Sequence, residues 1–248
     1  MKLIQGDCLE VMKEIPDKSI DMILCDLPYG TTACKWDSVI PFEPLWVQYN
    51  RIIKDNGAIV LFGSEPFSSK LRMSNLKMYK YDWIWIKTKV GNFMNCKNSP
   101  LKKYEDIIVF SNGAIANGSK KLMKYFPQGL IKIQKTIRNS NRDNNSTITN
   151  RPSRNGTYTQ LFTNYPSNIL EYKSEDGKLL HPTQKPVALL EYLIKTYTNE
   201  GELVLDNCMG SGSTGVACKN TNRDFVGIEL DENYFNIAKQ RIEGVINE

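Results

Sequence analysis

VLDNCMGSGSTG, residues 204–215, decides how the rest of the chain is read. Its first residues close the apolar run ELVLDN, a predicted strand, and its last residues open GSTGVACKNT, the start of a predicted helix. Between them Gly210, Gly212 and Gly215 stand in G-x-G-x-x-G spacing. Glycines there permit a tight turn and a close approach of backbone to ligand, and a helix N-terminus favours an anion. Glu229 ends the next predicted strand, DFVGIEL, 19 residues after Gly210. An acid at that point accepts hydrogen bonds from ribose hydroxyls. The glycine spacing alone would also suit a plain strand-to-helix turn. With a strand before it, a helix after it and the acid in place, it points to a nucleotide-bearing ligand.

The motif lies near the C-terminus, and 19 residues follow Glu229. A dinucleotide-type sheet needs further strands, and the remaining ones lie at the N-terminus. The expected sheet is therefore circularly permuted: KLIQGD serves as the third strand beside DFVGIEL, with the strand ending in DLPYG coming next. Ligands of open α/β sheets bind outside the carboxyl ends of the strands. Asp7, Asp26, Asp206, Gly210 and Glu229 would all lie along that edge. The stretch CDLPYG, residues 25–30, would then be more than a turn, because it delivers a carboxylate and a tyrosine ring to the crevice.

The first 113 residues alternate between predicted strands and helices, which argues for a mainly parallel, doubly wound sheet. IDMILC is a buried strand, FEPLWVQYNRIIKDNG a helix closed by Asn56-Gly57, and AIVLFG a second buried strand. YDWIWIK and EDIIVFSNG are two more strands, close enough to pair. Residues 114–165 break the pattern. RNSNRDNNSTITNRPSRNGTYTQ lacks sustained periodicity and reads as a loop that a partner orders. Regular structure resumes with PVALLEYLIKTYT, a helix with Pro186 at its start. Three segments follow: residues 1–113 and 166–248 as two halves of one domain, and 114–165 as an insertion.

Net charge is +5 over 248 residues, but it is unevenly placed. The insertion holds Lys120, Lys121, Lys124, Lys132, Lys135, Arg138, Arg142, Arg151 and Arg154 against one acid, Asp143. It carries +8 and the remainder −3. Such a patch suits a polyanion, although a solvated lysine-rich insertion has the same composition. The six cysteines are scattered and His181 is the single histidine, so a clustered metal site is not expected. No apolar run approaches the roughly 20 residues that span a bilayer, and MKLIQGDCLE lacks a signal-peptide core. A soluble, cytoplasmic protein is expected.

Three motifs now carry a resemblance. DLPYG resembles the D/N/S-P-P-Y motif of amino-methylating DNA methyltransferases. DNCMGSGSTG is similar to their D-P-F-x-G-S-G-T loop for S-adenosylmethionine, and HPTQKP, residues 181–186, to the segment that precedes it. The order, with the catalytic motif first, a basic region next and the cofactor loop last, resembles the β class of these enzymes. The resemblance covers nearly the whole chain outside 114–165, where the family places its target-recognition region.

The resemblance implies roles for individual residues. Asp26 and the main-chain carbonyl of Leu27 would accept hydrogen bonds from the target amino group, Pro28 would stiffen the loop, and Tyr29 would stack on a base flipped out of the duplex. On the cofactor side it implies Glu229 at the ribose and Asp7 with Cys8 at the adenine. Asp206, Cys208, Gly210, Ser211 and Gly212 would hold the methionine portion, with His181 and Lys185 near it and Lys185 suited to its carboxylate. Two departures stand out: Leu27 replaces the usual first proline, and Asn207-Cys208 replaces Pro-Phe. GTTACKW after the motif would continue the rim, with Trp36 read as packing rather than base-stacking, and KTKVGNFMNC would form another loop beside the flipped base, with Asn92 and Phe93 as candidates.

Asp as the first letter of the motif is typical of the family's adenine-N6 members. The implied function is methyl transfer from S-adenosylmethionine to adenine N6 in double-stranded DNA. Cytosine N4 and an RNA base are alternatives on the same fold. An NAD-dependent dehydrogenase explains only the glycine spacing, and a non-enzymatic DNA-binding relative leaves Asp26 without a task. Many β-class members pair, so a homodimer stays open.

Overall fold

A computed structural model describes residues 1–30, 38–139, 156–174 and 184–244. The chain divides into two compact units, Met1–Phe126 with Asn168–Glu248, and Pro127–Ser167. The larger unit begins with β1 (Lys2–Gln5), α1 (Cys8–Val11), β2 (Ile20–Cys25), α2 (Phe42–Ile52), β3 (Ile53–Gly63) and α3 (Phe67–Ser74). It continues with β4 (Tyr79–Gly91) and β5 (Lys102–Phe110). The smaller unit contributes β6 (Ile131–Asn139) and β7 (Gly156–Thr163). The chain then adds β8 (Ile169–Tyr172), α4 (Val187–Tyr197), β9 (Leu203–Asp206), α5 (Ser213–Asn220), β10 (Asp224–Glu229) and α6 (Glu232–Glu243) to the larger unit.

Eight strands form one sheet in the order β1-β10-β9-β2-β3-β5-β4-β8. The first five run parallel. β5 is antiparallel to both β3 and β4, and β8 runs parallel to β4. β1 pairs with β10 as the permuted reading expects, Gln5 opposite Glu229. β2 does not lie beside β1, however; it crosses to the far side of β9. That crossing makes a switch point at the carboxyl ends of β9 and β2, where a crevice opens.

All six residues of β2 are buried, and apart from Asp21, which is paired with Lys54 and Lys124, all are apolar. Its side chains alternate between two cores. Met22 and Leu24 pack with Leu189 and Leu193 of α4, Ala217 of α5 and Ile242 of α6. Ile23 and Cys25 pack with Leu45 and Tyr49 of α2 and Leu71 of α3. The sheet is thus the middle of three layers, and every fully buried leucine or isoleucine contributes roughly 1.5–3 kcal/mol.

Several expectations are corrected. Asn56-Gly57 does not cap α2; the helix stops at Ile52 and both residues lie in β3. Gly57 is demanded by a close approach, because a Cβ there would sit 2.7 Å from the Asp21 carbonyl oxygen. The first part of the expected insertion belongs to the larger unit. Met123 is buried in its core, and the Phe126 amide donates to the Thr196 carbonyl at 2.8 Å. Lys124 is accordingly withdrawn as a phosphate contact. Its ammonium donates to buried Asp21 at 2.8 Å and pairs with Glu202. β8 was not legible as a strand.

In the smaller unit β6 and β7 form an antiparallel ribbon, where sequence periodicity suggested none. Its register shifts between Lys132 and Lys135. Lys135 faces Gln160, Ile137 faces Tyr158, and beyond the shift Lys132 faces Phe162. Since Tyr158, Gln160 and Phe162 share one face of β7, the irregularity brings both lysines to that face. Arg138 pairs with Thr157 on the other. Arg142, Arg151 and Arg154 lie outside the described residues. Lys120 and Lys121 are exposed on the larger unit.

Candidate active site

The carboxyl ends of four parallel strands deliver four acids to one cavity of about 590 Å³. Asp7 follows β1, Glu229 ends β10, Asp206 ends β9, and Asp26 follows β2. Cys8, Cys208, Gly210 and Ser211 line the same space, as do Leu27, Pro28, Tyr29 and Lys185. Clefts of several hundred Å³ are the usual size for a cofactor and its co-substrate.

The glycine loop is held from below. The Gly210 amide donates to Glu229 Oε2 at 2.8 Å, and the Asp231 amide to Oε1 at 2.9 Å. Burial pushes the Glu229 carboxyl up while these amides pull it back, leaving it above its ordinary value. Gly212 does not line the cavity; it starts α5 at φ 80°, a left-handed conformation that favours glycine. Gly215 packs so closely on α6 that a Cβ would lie 2.3 Å from Ile242 Cδ1. Arg241 of α6 is buried and donates to the Ser211 carbonyl at 3.2 Å and to Ser213 Oγ at 2.8 Å. No sequence signal marked that support.

Asp206 is fully engaged, taking the Thr214 hydroxyl at 2.6 Å and the Cys208 amide at 3.1 Å. Burial pushes it from 3.8 to about 6. The departure at Asn207 has a structural partner, since the Tyr49 hydroxyl donates to Asn207 Oδ1 at 2.5 Å in the core. Cys8, Cys25, Cys96, Cys208 and Cys218 are free thiols, and burial holds Cys25 protonated, pushed up to about 12. Asp7 caps α1 by accepting from the Leu9 amide at 2.8 Å.

At the DLPYG end the Tyr29 hydroxyl donates to Asp26 Oδ1 at 2.6 Å, and the Lys185 ammonium donates to Oδ2. Burial pushes Asp26 up and the lysine opposes it; the net shift is upward. The Tyr29 ring stacks on Phe67 with centroids 4.8 Å apart, so a base can use only its other face. Leu27, which stands where the family has its first proline, is 3 % exposed and anchors the loop in the core.

Lys185, expected near the cofactor's carboxylate, lines the cavity beside two protein carboxylates. Its ammonium is committed to protein carboxylates, Asp26 and, at 3.5 Å, Glu105, so a cofactor carboxylate would have to compete for it. It also lies 5.0 Å from the Phe62 ring centroid. Glu105, Lys87, Trp85 and Phe62 line the cavity and went unmarked in the sequence. β5 runs antiparallel, so its beginning, Glu105, reaches the edge where the parallel strands end; the end of β4 arrives with it, Trp85 opposite Glu105. Phe93 is 71 % exposed, and neither it nor Asn92 lines the cavity. His181 and Trp36 lie outside the described residues. Among the described residues no group of three or more His, Cys, Asp or Glu is placed to hold a metal ion. None of their helices is long and apolar enough to cross a membrane.

A permuted Rossmann-like sheet with a glycine loop and the Asp26 carboxylate sharing one crevice defines an enzyme that binds a nucleotide-type cofactor beside a second substrate. The chain belongs to the N6/N4 DNA methylase family, whose model matches residues 20–240. It is 29 % identical over 263 residues to the Type II methyltransferase M.HpaI of Haemophilus parainfluenzae, covering 99 % of this chain and 75 % of that protein. It is 28 % identical over 272 residues to the Type II methyltransferase M.HinfI of Haemophilus influenzae, covering 98 % and 68 %. The M1.HpyAVI–SAM complex shares the fold with a TM-score of 0.63 and 24 % identity over 97 % of this chain and 98 % of that one. The PvuII cytosine-N4-specific DNA methyltransferase shares it with a TM-score of 0.66 and 15 % identity over 99 % and 86 %.

Proposed function

We propose that the protein transfers a methyl group from S-adenosylmethionine to the N6 amino group of adenine in double-stranded DNA. The observation that carries this reading is the meeting of Asp26, the glycine loop and Glu229 in one cavity. When bound, S-adenosylmethionine supplies an electrophilic methyl group. The donor set suits it: Glu229 and Asp7 offer acceptors for ribose and adenine, and the loop from Asp206 to Ser211 offers backbone polar groups to its amino-acid end. M1.HpyAVI was solved with SAM on the same fold, in keeping with that assignment.

An exocyclic amine is a poor nucleophile because its lone pair is delocalised into the ring. Asp26 and the Leu27 carbonyl, accepting its two N–H bonds, hold the nitrogen in a more tetrahedral state with its lone pair directed at the methyl group. Asp26 then stabilises the positive charge that develops on nitrogen, a positioning and electrostatic effect. Tyr29 offers its free ring face to the base, which has to leave the helical stack. Asp as the first letter of DLPYG favours adenine over cytosine.

For the DNA, the β6–β7 ribbon has a shape that the major groove admits. Lys132 and Lys135 serve phosphates, which position the protein without reading sequence, and Gln160 on the same face can reach base edges.

The test is transfer of labelled methyl from S-adenosylmethionine to unmethylated duplex DNA, followed by digestion to nucleosides. Label in N6-methyladenine is expected. Label in N4-methylcytosine overturns the base assignment, and absence of label on any DNA overturns the reaction.

A further inference from the structure

The cavity holds a row of alternating charges that the proposed reaction uses only at one end: Lys87, Glu105, Lys185 and Asp26. Lys87 donates to Glu105 Oε1, and Lys185 donates to Asp26 Oδ2. The link between the two pairs is slack. Lys185 Nζ stands 3.5 Å from Glu105 Oε2, and that oxygen is buried without a hydrogen bond. A charge-assisted N–H···O bond closes to about 2.7–2.9 Å, so a shift of under about 1 Å would seat the ammonium on Glu105.

We propose that Glu105 is a positioning residue for methyl transfer: it is the second seat of the Lys185 ammonium, which leaves Asp26 Oδ2 when the target amino group arrives. This inference rests on the functional reading above. The reasoning is electrostatic. Both oxygens of Asp26 are occupied, Oδ1 by the Tyr29 hydroxyl and Oδ2 by the ammonium. An ammonium in contact with Asp26 cancels the negative field that the reacting nitrogen needs as it becomes positive. Lys185 is only 7 % exposed, so it cannot withdraw into water, and moving a buried cation away from carboxylate charge is strongly disfavoured. Glu105 exchanges one carboxylate for another. Lys87 on its far oxygen keeps Glu105 ionised and oriented, and Lys87 is itself seated 5.1 Å over the Trp85 ring centroid. In this arrangement Lys185 guards Asp26 while the site is empty of base and releases it when the base is present.

The experiment compares full-length wild type, Glu105→Gln, Lys185→Met and the double variant in methyl transfer to duplex DNA, with cofactor affinity by calorimetry. Gln at 105 leaves the ammonium fixed on Asp26. The expected result is a kcat lowered tenfold or more, with KM for DNA and cofactor affinity within about twofold of wild type. The double variant should be no slower than Lys185→Met alone, because without an ammonium the second seat has no use. A role for Glu105 that does not run through the ammonium, such as holding Lys87, would instead still lower kcat in the Lys185→Met background. If Glu105→Gln does not fold, Glu105→Asp, which keeps the charge and draws the acceptor back, should show the same kcat-only loss. Wild-type kcat in whichever of these variants folds, equal losses in kcat and cofactor affinity, or additive losses in the double variant would overturn the proposal. A wild-type protein that methylates no DNA would instead overturn the functional reading on which it stands.

Discussion

The Lys185 ammonium is bonded to the carboxylate of Asp26, joining residues 159 positions apart in the chain. The pair ties the segment ahead of α4 to the loop after β2 and places the acid proposed to hold the target amine beside its own counter-charge. Asp26→Ala removes the acceptor for the target amine while leaving the glycine loop and Glu229 untouched. Methyl transfer should fall by about 10²–10³ or more, with cofactor affinity within a few-fold of wild type by calorimetry. Loss of folding and cofactor binding together would show that Asp26 is a structural acid.

Asp206 makes stability depend on pH. Its carboxyl is pushed by burial from 3.8 to about 6, so the folded protein holds this proton more tightly than the unfolded chain. The stability it contributes is therefore fully present below pH 4 and is lost as pH rises through 6. Asp206→Asn removes that dependence. Relative to wild type the variant should gain up to about 3 kcal/mol between pH 4 and pH 7, read as several degrees in Tm. Parallel Tm profiles across that range would count against it.

Gly215 is where α5 meets α6. A Cβ there would press on Ile242 Cδ1 at 2.3 Å and on the Phe225 ring at 2.9 Å. Gly215→Ala should cost about 1–3 kcal/mol through overpacking. Adding Ile242→Val, which deletes the clashing atom, should restore part of the loss in denaturant unfolding. No recovery in the double variant would place the strain elsewhere.

The ribbon supplies a salt test. Lys132 and Lys135 share one face of β6–β7 because the register shifts between them. With both changed to Gln, the slope of log K against log salt for duplex binding should flatten by about 2. An unchanged slope would move the phosphate contacts off this face.

How much of this was legible follows from how local each cause is. A left-handed glycine at Gly212, the alternation of Met22 and Leu24 with Ile23 and Cys25, and an acid at the end of β10 are consequences of neighbouring residues and their backbone angles. They were readable from the chain, and with the order of the motifs they implied the permuted sheet and the acids along its edge. The cap assigned to Asn56-Gly57 failed for the opposite reason: Gly57 answers to the Asp21 carbonyl on a neighbouring strand. The ribbon strands carry only a broken alternation, Ile131 and Ile133 and then Ile137 beyond the register shift, because most of their side chains are exposed and no core face patterned them. The partners of Lys185, the support of Arg241 behind Ser211 and the arrival of Glu105 at the crevice depend on which strand lies beside which, and in which direction. Strand order and direction are set by packing over the whole sheet, where residues far apart in sequence share one low-dielectric space. Local chemistry in the amino-acid order determined the loop, the acids and the sheet class; only the packed tertiary structure decided which charges meet.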